Sequence, residues 1–176
     1  ITVMIGEGTY DYTIYINGKK GISNYIGGTV EEIFIEDINP KDEFKEIGIF
    51  SSGLSDDFIY HYFRYVKGKL IFMGEVGPIT GKKDNFIYSE YWRGHWTIYV
   101  KYYIDKNHKI VEMNQPFYWI GLKLKVEIPL NLYFLPDKNS QILETVTEGG
   151  EIFLICKKGS WVLVKTEKNI LGWSYI

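Results

Sequence analysis

Trp96-Thr97-Ile98-Tyr99-Val100-Lys101-Tyr102-Tyr103-Ile104 alternates along its whole length. Successive side chains of an extended strand point to opposite faces, so Trp96, Ile98, Val100, Tyr102 and Ile104 share one face. Thr97, Tyr99, Lys101, Tyr103 and the following Asp105 share the other. An apolar face backed by a polar-aromatic one is the pattern of an antiparallel strand covered on one side. Asp105 to His108 then turns the chain into a second run, Lys109 to Met113.

The same pattern extends in both directions. Tyr12 to Ile16 alternates and ends at Asn17-Gly18, a strong short-range hairpin signal. Ile33 to Ile35 leads into the turn Asp37-Ile38-Asn39-Pro40, and Glu46 to Phe50 closes at Ser51-Ser52-Gly53. Phe58 to Val66 turns through Lys67-Gly68 into Lys69 to Met73. Pro40 to Lys45 resembles a helical turn but is too short to count. The chain of 176 residues has no alanine, the best helix former, and is 17% aromatic, with 15 Tyr and 5 Trp. Aromatic side chains pack well on a pleated surface, so an all-β protein is expected.

Bulk properties exclude several function classes. The formal net charge is −2 and the lysines are scattered, which argues against a nucleic-acid surface and an anionic-membrane patch. No apolar run reaches the roughly 18 residues that would predict a membrane span. The opening residues from Ile1 read as strand rather than as a signal peptide. Cys156 is the one cysteine, so no internal disulfide can form. It falls in phase with Ile152 and Leu154, which predicts a buried, inert thiol.

A division is expected near Gly121 to Glu127, giving domains at 1–121 and 122–176. Five short strands are predicted in the second: near Val126 to Leu132, Gln141 to Val146, Glu151 to Cys156, Trp161 to Thr166 and Gly172 to Ile176. Strands so closely spaced suggest a small barrel. Within it Val162 and Val164 are assigned to the interior, leaving Trp161 and Leu163 outside, covered by a ligand or by the N-terminal part.

Leu130-Asn131-Leu132, Pro136, Glu148-Gly149-Gly150-Glu151, Gly159-Ser160-Trp161-Val162-Leu163-Val164 and Gly172-Trp173 occur in an order and spacing that resembles bacterial SH3-type (SH3b) domains. The Arg-Ser-Gly-Pro usual after the first strand of that family is here Tyr133-Phe134-Leu135-Pro136. The resemblance covers about a third of the chain. It implies an SH3-like barrel following an open or partly closed antiparallel β-meander assembly, with Tyr133, Trp161, Trp173 and Tyr175 as ligand-binding candidates. Residues 33–74 are similar to a blade of FG-GAP or VCBS-type β-repeats, through Ile35 to Asp42, Lys45-Glu46-Ile47-Gly48-Ile49, Ser55-Asp56-Asp57-Phe58 and Tyr65 to Leu70.

Other candidates are weaker. Asp37, Asn39 and Asp42, with Glu46, are oxygen ligands near calcium-loop spacing, but the glycine of such a loop is missing and Asx residues are common in turns without metal. Ser55-Asp56-Asp57 reads as a solvated turn. His61, His95 and His108 lack partners at metal-ligand spacing. Tyr91, Trp92 and Trp96, with Tyr88 and Tyr99, could stack on sugar rings or anchor a protein partner, or else close a core. No cofactor is implied. The expectation is a non-catalytic binding protein, secreted or on the surface of a Gram-positive bacterium, docking a peptide or cell-wall component. A protein–protein scaffold, a carbohydrate-binding module and a two-carboxylate hydrolase are the alternatives.

Overall fold

The computed structural model describes residues 2–5, 11–25, 28–53, 58–92 and 95–175. The fold is all-β, with 67% strand; among the described residues there is no helix, and several antiparallel sheets form, none closed into a barrel. Two compact units are formed, residues 1–91 with 100–113, and residues 92–99 with 114–176.

Three successive meanders carry the first part of the chain. The first sheet holds β1 (Thr2–Ile5), β2 (Asp11–Ile16) and β3 (Lys19–Tyr25) in that order. Asn17 and Gly18 turn β2 into β3 with φ of 51° and 74°, the pair of left-handed residues that a tight hairpin of matching twist requires. The second sheet runs β4 (Gly28–Glu36), β5 (Glu46–Gly53), β6 (Phe58–Val66) and β7 (Lys69–Val76), each beside the next. The third contains β8 (Ile79–Lys83), β9 (Phe86–Trp92), β10 (Thr97–Ile104) and β11 (Ile110–Glu112), in the order β11-β10-β9-β8.

The second sheet is a middle layer. Ile47, Ile49 and Phe63 pack with Tyr12 and Ile14 of the first sheet, and Ile22, Val30, Leu70 and Phe72 close around them. On the opposite face Tyr62, Met73 and Val76 pack with Ile87 and Ile104 of the third sheet. Two-sided cover explains why Glu46, Ile47, Gly48 and Ile49 are buried in succession, as are His61, Tyr62, Phe63 and Arg64. On β10, Ile98, Val100 and Ile104 are buried while Tyr99 is exposed, the phase expected from alternation.

The fourth sheet holds β12 (Tyr118–Lys125), β13 (Leu130–Tyr133), β14 (Ile142–Val146), β15 (Glu151–Lys158), β16 (Trp161–Thr166) and β17 (Leu171–Tyr175). Its order is β12-β15-β16-β17-β13-β14, so the expected small barrel is an open six-stranded sheet with β12 and β14 at its edges. The stretch read as a junction is strand: β12 spans the expected 121/122 division and pairs with β15. Gly121, at φ 71°, sits where that ladder shifts register, and the shift interrupts the alternation by which the strand would be read. Val162 and Val164 are buried as assigned, with Leu132, Ile152 and Leu154.

Cys156 corrects the sequence reading. The β15–β16 ladder pairs Leu154 with Val164 and then Cys156 with Leu163, so Ile155 is an inserted bulge residue. The insertion moves the thiol from the phase of Leu154 to that of Leu163. Cys156 is therefore only partly buried, and desolvation raises its pKa.

Candidate ligand-binding face

The register of β16 and β17 sets Trp161 opposite Tyr175 and Leu163 opposite Trp173. β13 contributes Tyr133, opposite Trp173. Because Val162 and Val164 are 1% and 0% exposed, alternation puts Trp161, Leu163, Trp173 and Tyr175 on the other face of the sheet. Tyr133, Trp161, Leu163 and Trp173 are half-buried there and Tyr175 is 49% exposed.

The rings touch in a chain. Tyr133 meets Trp161 edge-on, with centroids 5.7 Å apart and planes at 89°, and Trp161 meets Tyr175 at 5.5 Å and 77°. These geometries set positive ring edges against negative ring faces. Trp173 stacks on Phe117 at 6.2 Å. Cations lie over the margins: Lys138 Nζ is 3.6 Å from the Tyr175 centroid and Lys158 Nζ 5.8 Å from that of Phe117. All four ligand-binding candidates from the sequence, from three strands, thus form one patch. Phe117 joins it from outside any strand and was missed; its segment carries no periodic signal. An array of this kind recognises apolar or extended groups by stacking and dispersion.

Further along the same face lies an open cleft of about 580 Å³, lined by Trp119, Phe153, Ile155, Lys165 and Asn169, among others. Trp119 meets the Phe153 ring at 6.4 Å. Lys123 pairs with Glu151 at the rim; the pairing lowers the Glu151 pKa and raises that of Lys123.

The remaining candidates fall elsewhere. Asp37 pairs with Lys45 at 2.9 Å, Asp42 Oδ1 accepts from the Phe44 amide, and Asp42 Oδ2 accepts from Asn39 Nδ2 and lies 3.2 Å from Arg64 Nη1. The oxygens proposed for calcium are thus held by amides and side-chain cations, as in an ordinary Asx turn. Trp96 is 8% exposed and belongs to packing rather than to an exposed platform, whereas Tyr91 and Trp92 are 43% and 63% exposed. His61 is buried, with Nδ1 3.4 Å from Glu75, and His95 is exposed beside the Trp96 ring. Ser55, Asp56 and Asp57 lie outside the described residues.

One charged constellation was missed altogether. Arg64, 2% exposed, donates Nε to Glu46 Oε1 at 2.7 Å, and Nη2 pairs with the same oxygen. The Ile38 amide donates to Glu46 Oε2 at 2.9 Å, Phe44 lies under the guanidinium, and Arg64 Nη1 donates to His108 Nδ1 at 3.3 Å. Burial outweighs the Ile38 amide and the guanidinium, and the Glu46 pKa is raised. The residues lie 18 apart on neighbouring strands, and only the register Glu46↔Arg64 brings them together. Among the described residues no helix is long and apolar enough to cross a membrane, and no group of three or more His, Cys, Asp or Glu could hold a metal ion. No family model matches this chain, and no curated protein or solved structure matches it.

Proposed function

We propose that this is a non-catalytic binding protein whose aromatic face on the six-stranded sheet, Tyr133, Trp161, Trp173 and Tyr175, docks a peptide or a cell-wall component. The observation that carries the reading is the ring chain Tyr133–Trp161–Tyr175, with Tyr175 half exposed at its end. Exposed tyrosine and tryptophan lose little side-chain entropy on binding and supply large contact area, which is why such residues dominate binding hot spots. Lys138 and Lys158 give the patch a cationic margin, which suits a ligand with an acidic or carbonyl-rich backbone. A cell-wall ligand would place the protein at the outer surface of a cell. The alternative of a sugar platform at Tyr91, Trp92 and Trp96 is weakened by the burial of Trp96.

Trp161→Ala tests the reading. It removes two edge-to-face contacts, each worth about 0.5–1.5 kcal/mol, so a modest loss of thermal stability is expected. Capture on a short-peptide array should fall to background, and co-sedimentation with purified peptidoglycan should be weakened. Binding undiminished in this variant would reject the proposal.

A further inference from the structure

We propose that the cleft at Trp119 is a second binding site, separate from the Tyr133–Trp161–Trp173–Tyr175 patch, and that it takes a neutral oligosaccharide. Trp119 lies on β12, an edge strand, and is 51% exposed. Its indole is held in place from one side. A Cβ at position 121 would come within 2.6 Å of Trp119 Nε1 and 3.2 Å of Cζ2, so the indole occupies space that only a glycine leaves free. The Phe153 ring meets it on the neighbouring strand. A ring braced in this way and open to solvent is a preformed stacking platform.

The rim decides what stacks there. The lining carries Lys123 and Lys165 against Glu151 and Glu167, so its cations and anions balance. A phosphate or a free carboxylate would find no excess of positive charge. An apolar side chain laid over the Lys123–Glu151 pair would return no hydrogen bond to either charge. A pyranose meets both demands. Its C–H face carries partial positive charge and packs on the negative face of the indole. Its hydroxyls both donate and accept, and so satisfy ammonium, carboxylate and the Asn169 amide together. A cleft of about 580 Å³ is within the range of small-ligand sites and has room for more than one sugar ring.

The site shares no ring with the patch of the proposed function, so the two are tested apart. The whole chain is titrated with N-acetylated chitotetraose and with cellotetraose, both neutral, and read by tryptophan fluorescence and calorimetry. Saturable binding of at least one is expected. Trp119→Ala should weaken it at least roughly tenfold, and Trp161→Ala should leave it unchanged. Lys165→Met alters the rim without touching the ring and should also weaken binding, which covers the case of an alanine variant that does not fold. The inference is overturned if neither sugar binds the wild-type chain, if Trp119→Ala and Lys165→Met both bind as wild type, if Trp161→Ala loses the sugar as well, or if an apolar peptide occupies the cleft instead.

Discussion

Gly48 lacks a side chain because the Phe34 ring fills the space one would occupy: a Cβ there would lie 2.3 Å from Phe34 Cζ. Phe34 and Gly48 are cross-strand partners, and the ring packs in the cluster that joins the second and third sheets. Gly48→Ala should therefore destabilise the protein by about 1–3 kcal/mol, the usual result of overpacking, and urea unfolding measures it. An unchanged midpoint would mean that the ring moves aside freely. Arg64 and Glu46 make a second residue-level test in the same layer. Arg64→Met leaves the Glu46 carboxyl buried without its cation and should cost about 3–5 kcal/mol, while Arg64→Met with Glu46→Leu should recover most of the loss. The raised pKa fixes the sign of the pH dependence. The folded chain holds the Glu46 proton more tightly than the unfolded chain, so this group favours folding below pH 4.5. That contribution is lost as pH rises from 4.5 through the folded-state value. Glu46→Gln should remove this component from the pH–stability curve.

At the scale of the strand, the bulge at Ile155 matters most. It shifts Cys156 to the face of Leu163, partly exposed, with a pKa raised by desolvation. A thiol reagent should label the folded protein at neutral pH more slowly than the urea-unfolded chain, but to completion, and the rate should climb as pH approaches the thiol pKa. Complete protection would put the thiol back in the core. The bulge also marks where sequence reading stops working. Alternation on β10 and the opposed directions of Val162 and Trp161 were legible because nothing interrupts the period there. The period fails at an inserted residue such as Ile155, which leaves no compositional mark, and at the register shift beside Gly121, where the isolated glycine is the one trace in the sequence. β9 was obscured differently. Ile87 and Ser89 point inward while Tyr88 is exposed, so the larger ring lies on the outer face and the hydrophobic contrast is inverted. β5 and β6 lost alternation altogether, because a middle sheet buries both faces.

Over the whole molecule, the two units carry different burdens. In the first, three meanders bury their faces on one another, and the middle sheet accommodates a buried ion pair that only strand register could reveal. In the second, a single six-stranded sheet turns Val162, Val164, Ile152 and Leu154 inward and leaves a broad aromatic face outward. Of the candidate residues on that face, Trp161 followed from the phase of its strand, whereas Tyr133, which sits at a register shift, Trp173 and Tyr175 were named through the SH3b resemblance. Their mutual contacts, and the contribution of Phe117, depend on tertiary structure that no local pattern encodes. The five tryptophans report directly on ligand binding at the aromatic face, since each indole N–H yields its own NMR signal. Soluble peptidoglycan fragments, or a peptide captured on the array, are added to the ¹⁵N-labelled chain and the five signals are followed. The Trp161 and Trp173 signals should move in a saturable way while that of buried Trp96 stays in place. Ligand binding that leaves Trp161 and Trp173 unmoved, or that moves Trp92 or Trp96 instead, would contradict it.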